Sequence, residues 1–243
     1  MTRQAPQSHS DLYRNFDPRQ RDFRNFNLSQ LLLGYAQGRS LMDVGCGSGL
    51  LLRLARDRGF QVEGIEPDAE LVALARTQTP DLSIYQGTVE SYPASDRFDT
   101  VVSIDILECV KDYAHNLDCS ARLLNPGGRL IVAAPAHPWL FGSRDELLGY
   151  YRRFSLADIC HPLEKCGLRI AVTRHWNLLL LPPYWLLYKL LRRRSHYAQL
   201  RSHRDASLAA VGAQRLLYEW FRHIENRIDF GLGLSLIVVA DRP

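Results

Sequence analysis

The sequence predicts an α/β fold in which a doubly wound, seven-stranded and mostly parallel sheet carries helices on both faces. Apolar runs of strand length alternate with runs of helical spacing over most of the chain. The first apolar run ends in a glycine-rich turn, as at the ligand-binding edge of such sheets. A helical stretch separates the last apolar run from the others, so we expect a helical insertion before an antiparallel last strand.

Short apolar segments bounded by turn residues are expected to form the strands. They lie at 41–44, 61–66, 82–86, 98–103, 129–134, 168–173 and 234–240. Helical spacing predicts the helices between them, at 49–58, 69–77, 112–124 and 155–166. Ser155 suits the N-cap of the last of these helices and Gly167 its end. The Asn-Pro-Gly-Gly segment at 125–128 is expected to close the helix before it as a turn.

The same pattern divides the chain into three parts. A polar and aromatic N-terminal segment, with Tyr13, Phe16, Phe23 and Phe26 near helical spacing, is expected to form a helical lid. The expected parts are a lid at 1–39, a main domain at 40–176 and 227–243, and a helical insertion at 177–226.

Composition excludes several function classes. The net charge of +4 is too small to indicate nucleic-acid binding, and no nucleic-acid partner is expected. The cysteines match neither a disulfide framework nor a zinc site, and no His/Asp/Glu cluster has metal-ligand spacing, so no metal is expected. The polar N-terminus lacks the features of a signal peptide. These features together predict a cytoplasmic protein.

The glycine-rich turn reads Asp43-Val-Gly-Cys-Gly-Ser-Gly and follows the first predicted strand. Glycines let the backbone turn tightly and approach a ligand. A nicotinamide-binding loop would need glycine at position 50, where the chain has Leu50. Asp43 disfavours a nearby pyrophosphate and suits a cationic sulfonium ligand with an amino-acid tail. Glu66, at the end of the second strand, can accept hydrogen bonds from ribose hydroxyls.

The ordered motifs resemble those of class I S-adenosylmethionine-dependent methyltransferases, in particular a bacterial type 11/12-like branch. The resemblance covers residues 40–175 and the final strand, and it implies a Rossmann-like methyltransferase fold. The motifs that carry it lie at 41–49, 62–68, 86–90, 98–110 and 124–132.

The resemblance also implies a set of residues that bind S-adenosyl-L-methionine and its product S-adenosyl-L-homocysteine. By position these are Asp43, Gly45, Cys46, Gly47, Gly49, Glu66, Pro67, Thr88, Val89, Ser103 and Ile104. Many relatives have Leu-Glu-His-Val where this chain has Leu-Glu-Cys109-Val. If that histidine takes part in catalysis in the relatives, another residue would have to supply its role in this chain. We do not expect Cys109 to be a nucleophile, because nothing near it in the sequence marks an activated thiol.

The segment after the fifth strand, 135–155, is the richest in chemical groups and is expected to face the methyl acceptor. The candidate catalytic residues there are His137, Asp145, Tyr150, Arg152 and Arg153. His137 or Asp145 is the preferred base, since Tyr150 stands where similar bacterial sequences have histidine. The arginines would suit a phosphate or carboxylate on the acceptor. The alternative is structural: a turn at His137, a cap at Asp145 and surface charge at the arginines.

The insertion begins with an apolar stretch at 178–191 that is too short to span a bilayer and is followed by arginines at 192–194. Such a segment can lie on an anionic membrane surface. It can equally form a lid over an apolar acceptor pocket or a contact between subunits.

The expected activity is methyl transfer, most readily to oxygen, on a small or lipid-linked metabolite. The protein would be cytoplasmic or peripheral to the inner face of the membrane, through 178–194. The alternative is a membrane-associated partner protein that binds S-adenosylmethionine or S-adenosylhomocysteine without catalysis. A nicotinamide oxidoreductase is the remaining rival.

Overall fold

The computed structural model describes residues 23–93, 95, 97–190 and 208–243. The predictions for Tyr13, Phe16 and the arginines at 192–194 lie outside the described residues. The strands form one sheet in the order β3-β2-β1-β4-β5-β7-β6. Their bounds are β1 Ser40–Val44, β2 Gln61–Glu66, β3 Ser83–Gln86, β4 Phe98–Ile104, β5 Leu124–Pro135, β6 Arg169–Trp176 and β7 Ser235–Asp241. Only β7 runs antiparallel to its neighbours, β5 and β6, which confirms the predicted seven-stranded sheet and its last strand.

Helices cover both faces of this sheet. Within the described residues they are α1 Phe23–Leu33, α2 Leu50–Arg56, α3 Ala69–Gln78, α4 Tyr113–Arg122, α5 Ser143–Leu147, α6 Leu156–Lys165, α7 Leu181–Tyr184 and α8 Leu208–Trp220. Short 3-10 turns at Leu107–Cys109 and Pro138–Leu140 follow β4 and β5. The turn after β5 begins at His137, where the structural alternative placed a turn, whereas the turn after β4 and α5 were not expected from the sequence pattern.

Alternating apolar residues in β4 produce two cores, one on each face of the sheet. Val101 packs in the core that contains Leu117 of α4. Its neighbour Val102 packs in the opposite core with Leu28 of α1. Each fully buried side chain of this size contributes roughly 1.5–3 kcal/mol through the removal of apolar surface from water.

Local signals explain several element ends. Ser155 caps α6 in a reciprocal capping box with Asp158, and Gly167 ends that helix with φ of 80°. Both predictions at this helix are confirmed. The predicted turn at 125–128 instead lies inside β5, because Leu124 already pairs with Phe98 and the pairing resumes after an irregularity at Arg129.

A buried carboxylate, Glu225, attaches the insertion to the end of β6. It accepts backbone N–H groups from Asn177 at 3.0 Å, Leu178 at 3.2 Å and Leu179 at 2.9 Å, and the indole N–H of Trp220 at 3.2 Å. Beyond α7 the chain continues as a π-helical turn at Trp185–Leu190. Among the described residues, no helix combines the length and apolar character needed to cross a bilayer.

Candidate active site

The glycine-rich turn lies at the carboxyl end of β1, between β2 and β4 in the middle of the sheet. Gly45, Gly47 and Gly49 all have left-handed backbone conformations, with φ of 76°, 53° and 79°. A Cβ atom on Gly45 would lie 2.0 Å from Cδ1 of Ile106, whereas one on Gly47 would meet no atom within 4 Å. The turn is thus packed against the segment after β4 and open at Gly47.

Glu66 holds this turn from the neighbouring strand. Its Oε2 accepts the Gly47 N–H at 2.8 Å, and its Oε1 accepts the Asp68 N–H at 3.0 Å. Asp68 in turn caps α3. The structure therefore brings the predicted ribose-binding carboxylate directly to the glycine turn.

Asp43 lies buried beneath the same turn. Burial, together with the nearby charge of Glu66, raises the pKa of the Asp43 carboxyl to about 8. A cation bound at the turn would favour the charged form of this carboxyl. Burial also raises the pKa of the Cys46 thiol, which contacts the backbone of β2 near Gly64 and is no candidate for reactivity.

The other predicted cofactor residues around the turn differ in how deeply they are buried. Ser103 of β4 is paired in register with Val44, and its buried hydroxyl has no hydrogen-bond partner within the described residues. Its neighbour Ile104 is half-buried, whereas Pro67 and Thr88 are exposed. Val89 is buried in the first core, so its part in a cofactor site would come from its backbone.

An ion pair that the sequence did not predict lies at the end of β4. Arg24 of α1 donates to Asp105 at 2.7 and 3.3 Å and to the Ser235 hydroxyl at 3.2 Å. Its guanidinium lies 5.9 Å from the centre of the Trp176 ring. Asp105 has a left-handed conformation with φ of 53°. Arg24 thus spans from β4 to β7 across the carboxyl edge of β5.

Glu108, on the 3-10 turn after β4, was also missed. It is completely buried, and neither carboxylate oxygen has a hydrogen-bond partner among the described residues. Burial and the nearby Asp105 raise the pKa of this carboxyl well above its usual range, against the opposing effects of its own backbone N–H, Arg24 and Arg153. Its position inside the Leu-Glu-Cys-Val motif is the feature of the sequence that could have identified it as a site residue.

His137 follows β5 and has a left-handed backbone with φ of 64°. Its ring stacks on His175 of β6, with centroids 5.5 Å apart and planes 13° apart. Burial and the neighbouring His175 lower the pKa of His137, which favours the neutral imidazole near pH 7. Its Nε2 is buried without a hydrogen-bond partner in the described part of the chain.

Asp145 and Arg153 form a buried ion pair. The Arg153 guanidinium donates Nε to Oδ2 at 3.0 Å and Nη2 to Oδ1 at 2.8 Å. It also donates to the Ala136 carbonyl at 3.2 Å and to the Tyr184 hydroxyl. The pair therefore joins the segment after β5 to α7.

Three further residues near this segment are Tyr150, Arg152 and Cys109. The pKa of the Tyr150 hydroxyl is raised well above its usual range, by burial and then by Glu108 and Asp105. Arg152 donates to the Lys111 carbonyl at 2.8 Å and lies over the Tyr113 ring. Partial desolvation, with Glu108 and Asp105 nearby, raises the pKa of the exposed Cys109 thiol to about 12, which argues against a nucleophile.

A sequence profile described as a methyltransferase domain matches residues 17–183, more than two thirds of the chain. The chain belongs to the class I S-adenosylmethionine-dependent methyltransferases. This methyltransferase is 38% identical over 107 residues to a ubiquinone biosynthesis O-methyltransferase of Alkalilimnicola ehrlichii. The alignment covers 42% of this chain and 43% of that relative, so the chain spans less than half the relative's length.

Solved structures show the same fold. A putative methyltransferase of Haloferax volcanii, in complex with the Trm112 methyltransferase activator, has a TM-score of 0.62 at 20% identity, covering 97% of this chain and 98% of that chain. Phosphoethanolamine N-methyltransferase 2 of Haemonchus contortus, in complex with S-adenosyl-L-methionine, has a TM-score of 0.58 at 20% identity, covering 89% and 52%. At 20% identity these two structures show that the chain has the methyltransferase fold.

Proposed function

We propose that this methyltransferase transfers a methyl group to an oxygen atom of a small or lipid-linked metabolite. The observation that carries the proposal is the carboxyl edge of the sheet around the glycine turn. That edge holds the acidic Asp43 and the Ser103 hydroxyl, which has no hydrogen-bond partner among the described residues. It also holds Gly47, where an added Cβ would meet no atom within 4 Å. The oxygen acceptor is supported by the O-methyltransferase of Alkalilimnicola ehrlichii that the chain resembles in part.

The residues present fit the cofactor. Asp43 and Ser103 would receive its ammonium group, and Glu66 would accept from the ribose hydroxyls while keeping its bonds to the turn, since a carboxylate has about four acceptor sites. The backbone around Thr88 and Val89, and Pro67 with Ile104, would enclose the adenosine. When bound, the cofactor supplies a methyl group on a positively charged sulfur.

The segment after β5 would border the acceptor, and its charged residues would have different tasks there. Asp145 already accepts bonds from Arg153, Tyr184 and the Gly142 N–H, so the pair would brace the segment rather than carry a proton. His137 and Tyr150 would face the acceptor. Arg152 would hold the turn before α4 through Lys111.

The three parts of the chain would also differ in task. We propose that α1, the described part of the N-terminal segment 1–39, covers the crevice, because Arg24 joins it to Asp105 and Ser235. The main domain would hold the cofactor. The insertion 177–226 would complete the acceptor side through Tyr184 and Glu225.

The cofactor site is tested by calorimetric titration of S-adenosylmethionine into the wild-type protein, Glu66→Ala and Glu63→Ala. Glu63 lies on the same strand, where it pairs with Ser83 and not with the turn. Glu66→Ala should lose roughly 1.5–3 kcal/mol of binding free energy, and Glu63→Ala should bind as the wild type. Unchanged affinity in Glu66→Ala contradicts the placement.

Catalysis is tested by product formation. The purified protein is incubated with S-adenosylmethionine and either a prenylated catechol or a short-chain catechol. Formation of S-adenosylhomocysteine with an O-methylated product supports the proposal. Cofactor binding without turnover of hydroxylated small molecules and lipids would support the non-catalytic alternative.

An exposed apolar surface, which we call the apolar rim, lies at the same edge of the sheet. Its large side chains are at least two fifths exposed: Trp139, Trp185, Leu186, Leu190, Phe230 and Leu232. The segments that carry them pack together through a cluster that includes Leu140, Tyr184 and Leu234. Tryptophan and leucine at such a rim suit the headgroup region of a membrane. The arginines at 192–194, next in the sequence, suit anionic lipid.

Co-sedimentation with phosphatidylglycerol vesicles tests this membrane contact, with phosphatidylcholine vesicles for comparison. The double variant Trp185→Ser, Leu186→Ser should bind anionic vesicles several-fold more weakly than the wild type. Leu216→Ser is the matched control, since Leu216 is 74% exposed on α8 and outside the rim. Equal binding by all three proteins would remove the membrane contact from the proposed function.

A further inference from the structure

Glu108 is an acidic side chain that has no role in the proposed cofactor site. It is completely buried, and its two carboxylate oxygens have no hydrogen-bond partner among the described residues. Burying a carboxyl group without a hydrogen-bond partner destabilises the folded protein. Groups left in that condition in a folded protein are concentrated at functional sites.

The position of Glu108 is between the cofactor side and the acceptor side. Two residues before it, Ile106 packs against Gly45 of the glycine turn. On the other side, the Glu108 carbonyl accepts the Tyr151 N–H at 2.8 Å, which ties the 3-10 turn to the segment after β5. The turn that carries Glu108 therefore contacts both the glycine turn and the segment after β5.

The charged and titratable groups around Glu108 come from every element packed against it. They are Asp105 and Cys109 on its own turn, Arg24 on α1, and Tyr150 and Arg153 in the segment after β5. Arg24 is already engaged by Asp105, and Arg153 by Asp145. Burial therefore dominates and raises the pKa of Glu108 well above its usual range, which favours the protonated carboxyl in the cofactor-free protein.

We propose that Glu108 is the residue that takes the proton from the acceptor hydroxyl. This inference rests on the proposed function. A positive sulfonium near the turn favours the charged form of Glu108, so that cofactor binding releases its proton to solvent and readies the base. Half-buried Tyr150 is near enough for the charge of Glu108 to act on its hydroxyl, and it follows Gly149, which has a φ of 75°. Its side chain would move aside for the acceptor.

The methyl transfer exchanges one O–H bond and one carbon–sulfur bond for a new carbon–oxygen bond and a protonated carboxyl. The O–H bond of the acceptor breaks, and the proton goes to a carboxylate oxygen of Glu108. An electron pair of the acceptor oxygen forms the new bond to the methyl carbon. The pair of the broken carbon–sulfur bond goes to sulfur, which becomes the neutral thioether of S-adenosylhomocysteine. Glu108 is protonated at the end of the step.

Proton release on ligand binding tests the inference without an acceptor. Calorimetric titrations are run near neutral pH in phosphate and in Tris, whose different ionisation enthalpies report the protons exchanged. The ligands are S-adenosylmethionine and S-adenosylhomocysteine, which both carry the ammonium group but differ in the sulfonium charge. The wild type should release more protons with S-adenosylmethionine, and the excess should be a measurable fraction of one proton per site.

Variants assign that excess to Glu108. It should vanish in Glu108→Gln and persist in Cys109→Ser, the control on the same turn. Asp43→Asn should reduce release with both ligands equally, because the ammonium group is common to them. No excess in the wild type, or an unchanged excess in Glu108→Gln, overturns the inference while leaving cofactor binding intact. Failure of S-adenosylmethionine to bind the wild type overturns the proposed function itself.

Kinetics give a second measurement once an acceptor is turned over. Glu108→Gln should lower kcat by about 10²–10⁴-fold, the usual contribution of a positioned base, with cofactor affinity little changed. Its pH–rate profile should lose the ascending limb that the wild type shows. A comparable loss in His137→Gln with near wild-type kcat in Glu108→Gln would assign the base to His137 and overturn the inference.

Discussion

Arg153 holds Asp145 through two hydrogen bonds, at 2.8 and 3.0 Å, inside a site where the Asp145 side chain is 0% exposed. Tyr184 of α7 completes the site, since its hydroxyl lies 3.3 and 3.4 Å from the two Asp145 oxygens. The interaction therefore joins the segment after β5 to the insertion, on the side where we place the acceptor. Its loss should be costly because it would leave one buried charge without a partner.

Removing the arginine tests this relationship. Arg153→Met should lower the free energy of unfolding by about 3–5 kcal/mol, measured by urea denaturation. Arg169→Met is the control and should change it by less than about 0.5 kcal/mol, because Arg169 is exposed on the edge strand β6. A double-mutant cycle with Asp145→Asn should show strong coupling between the two positions. Additive effects would mean that the ion pair contributes little to holding the segment.

Asp43 should give the cofactor-free protein a free energy of unfolding that falls as the pH rises. Its pKa is about 8 in the folded state, against about 4 for an unfolded chain. Between these values the folded state keeps a proton that the unfolded state has lost, so the free energy of unfolding should fall as the pH rises. Asp43→Asn should remove this fall and stabilise the protein near pH 8 by roughly 1–3 kcal/mol.

The measurement is urea denaturation at several pH values for Asp43→Asn, the wild type and Asp81→Asn, an exposed control. The same Asp43 variant should bind S-adenosylmethionine about tenfold or more weakly, because a charge-assisted contact contributes roughly 1.5–3 kcal/mol. Parallel pH profiles in all three proteins would contradict the raised pKa of Asp43.

Arg24 should control the local stability of α1. Arg24→Met removes its bonds to Asp105 and Ser235, and both charges are only about a quarter exposed. Since the pair is partly screened, we expect a global loss of no more than about 1 kcal/mol. Hydrogen exchange of the backbone amides of α1 should nevertheless become several-fold faster.

Arg122→Met is the matched control, because its ion pair with Asp118 lies within α4 and its side chain is 67% exposed. That variant should leave α1 exchange at the wild-type rate. If Arg24→Met does so as well, the Arg24–Asp105 pair does not fasten α1 over the crevice.

The cofactor side of the site could be read from the sequence because it depends on strand ends. Asp43, Glu66 and Ser103 each lie at or near the carboxyl end of a predicted parallel strand, and such ends meet at one edge of the sheet. Arg24 could not be found in this way, since it reaches Asp105 across 81 positions and lies on a helix whose docking no local pattern specifies.

The acceptor side was predicted less well, for a physical reason. Charged residues such as Asp145 and Arg153 are usually exposed. Here Tyr184, 39 positions beyond Asp145, packs on the pair, and this long-range contact cannot be read from the local sequence. In the sequence, Glu108 matches the family motif, and only its neighbour Cys109 departs from it. The burial of its carboxyl depends on packing between the turn after β4 and the segment after β5, which the sequence pattern does not encode.

Gly45 and Gly47, two glycines of the glycine turn, should respond differently to an added methyl group. Gly45→Ala combines a left-handed backbone with a Cβ only 2.0 Å from Ile106, whereas Gly47→Ala has the backbone strain alone. We therefore expect Gly45→Ala to lower the free energy of unfolding by more than the roughly 1–2 kcal/mol of left-handed strain, and Gly47→Ala by about that amount. The added methyl at Gly47 points into the open space proposed for the cofactor, so Gly47→Ala should lose most of its affinity for S-adenosylmethionine despite being the more stable variant. Denaturation and calorimetric titration of the two variants check both expectations, and wild-type cofactor affinity in Gly47→Ala would show that the cofactor does not approach the turn at this point.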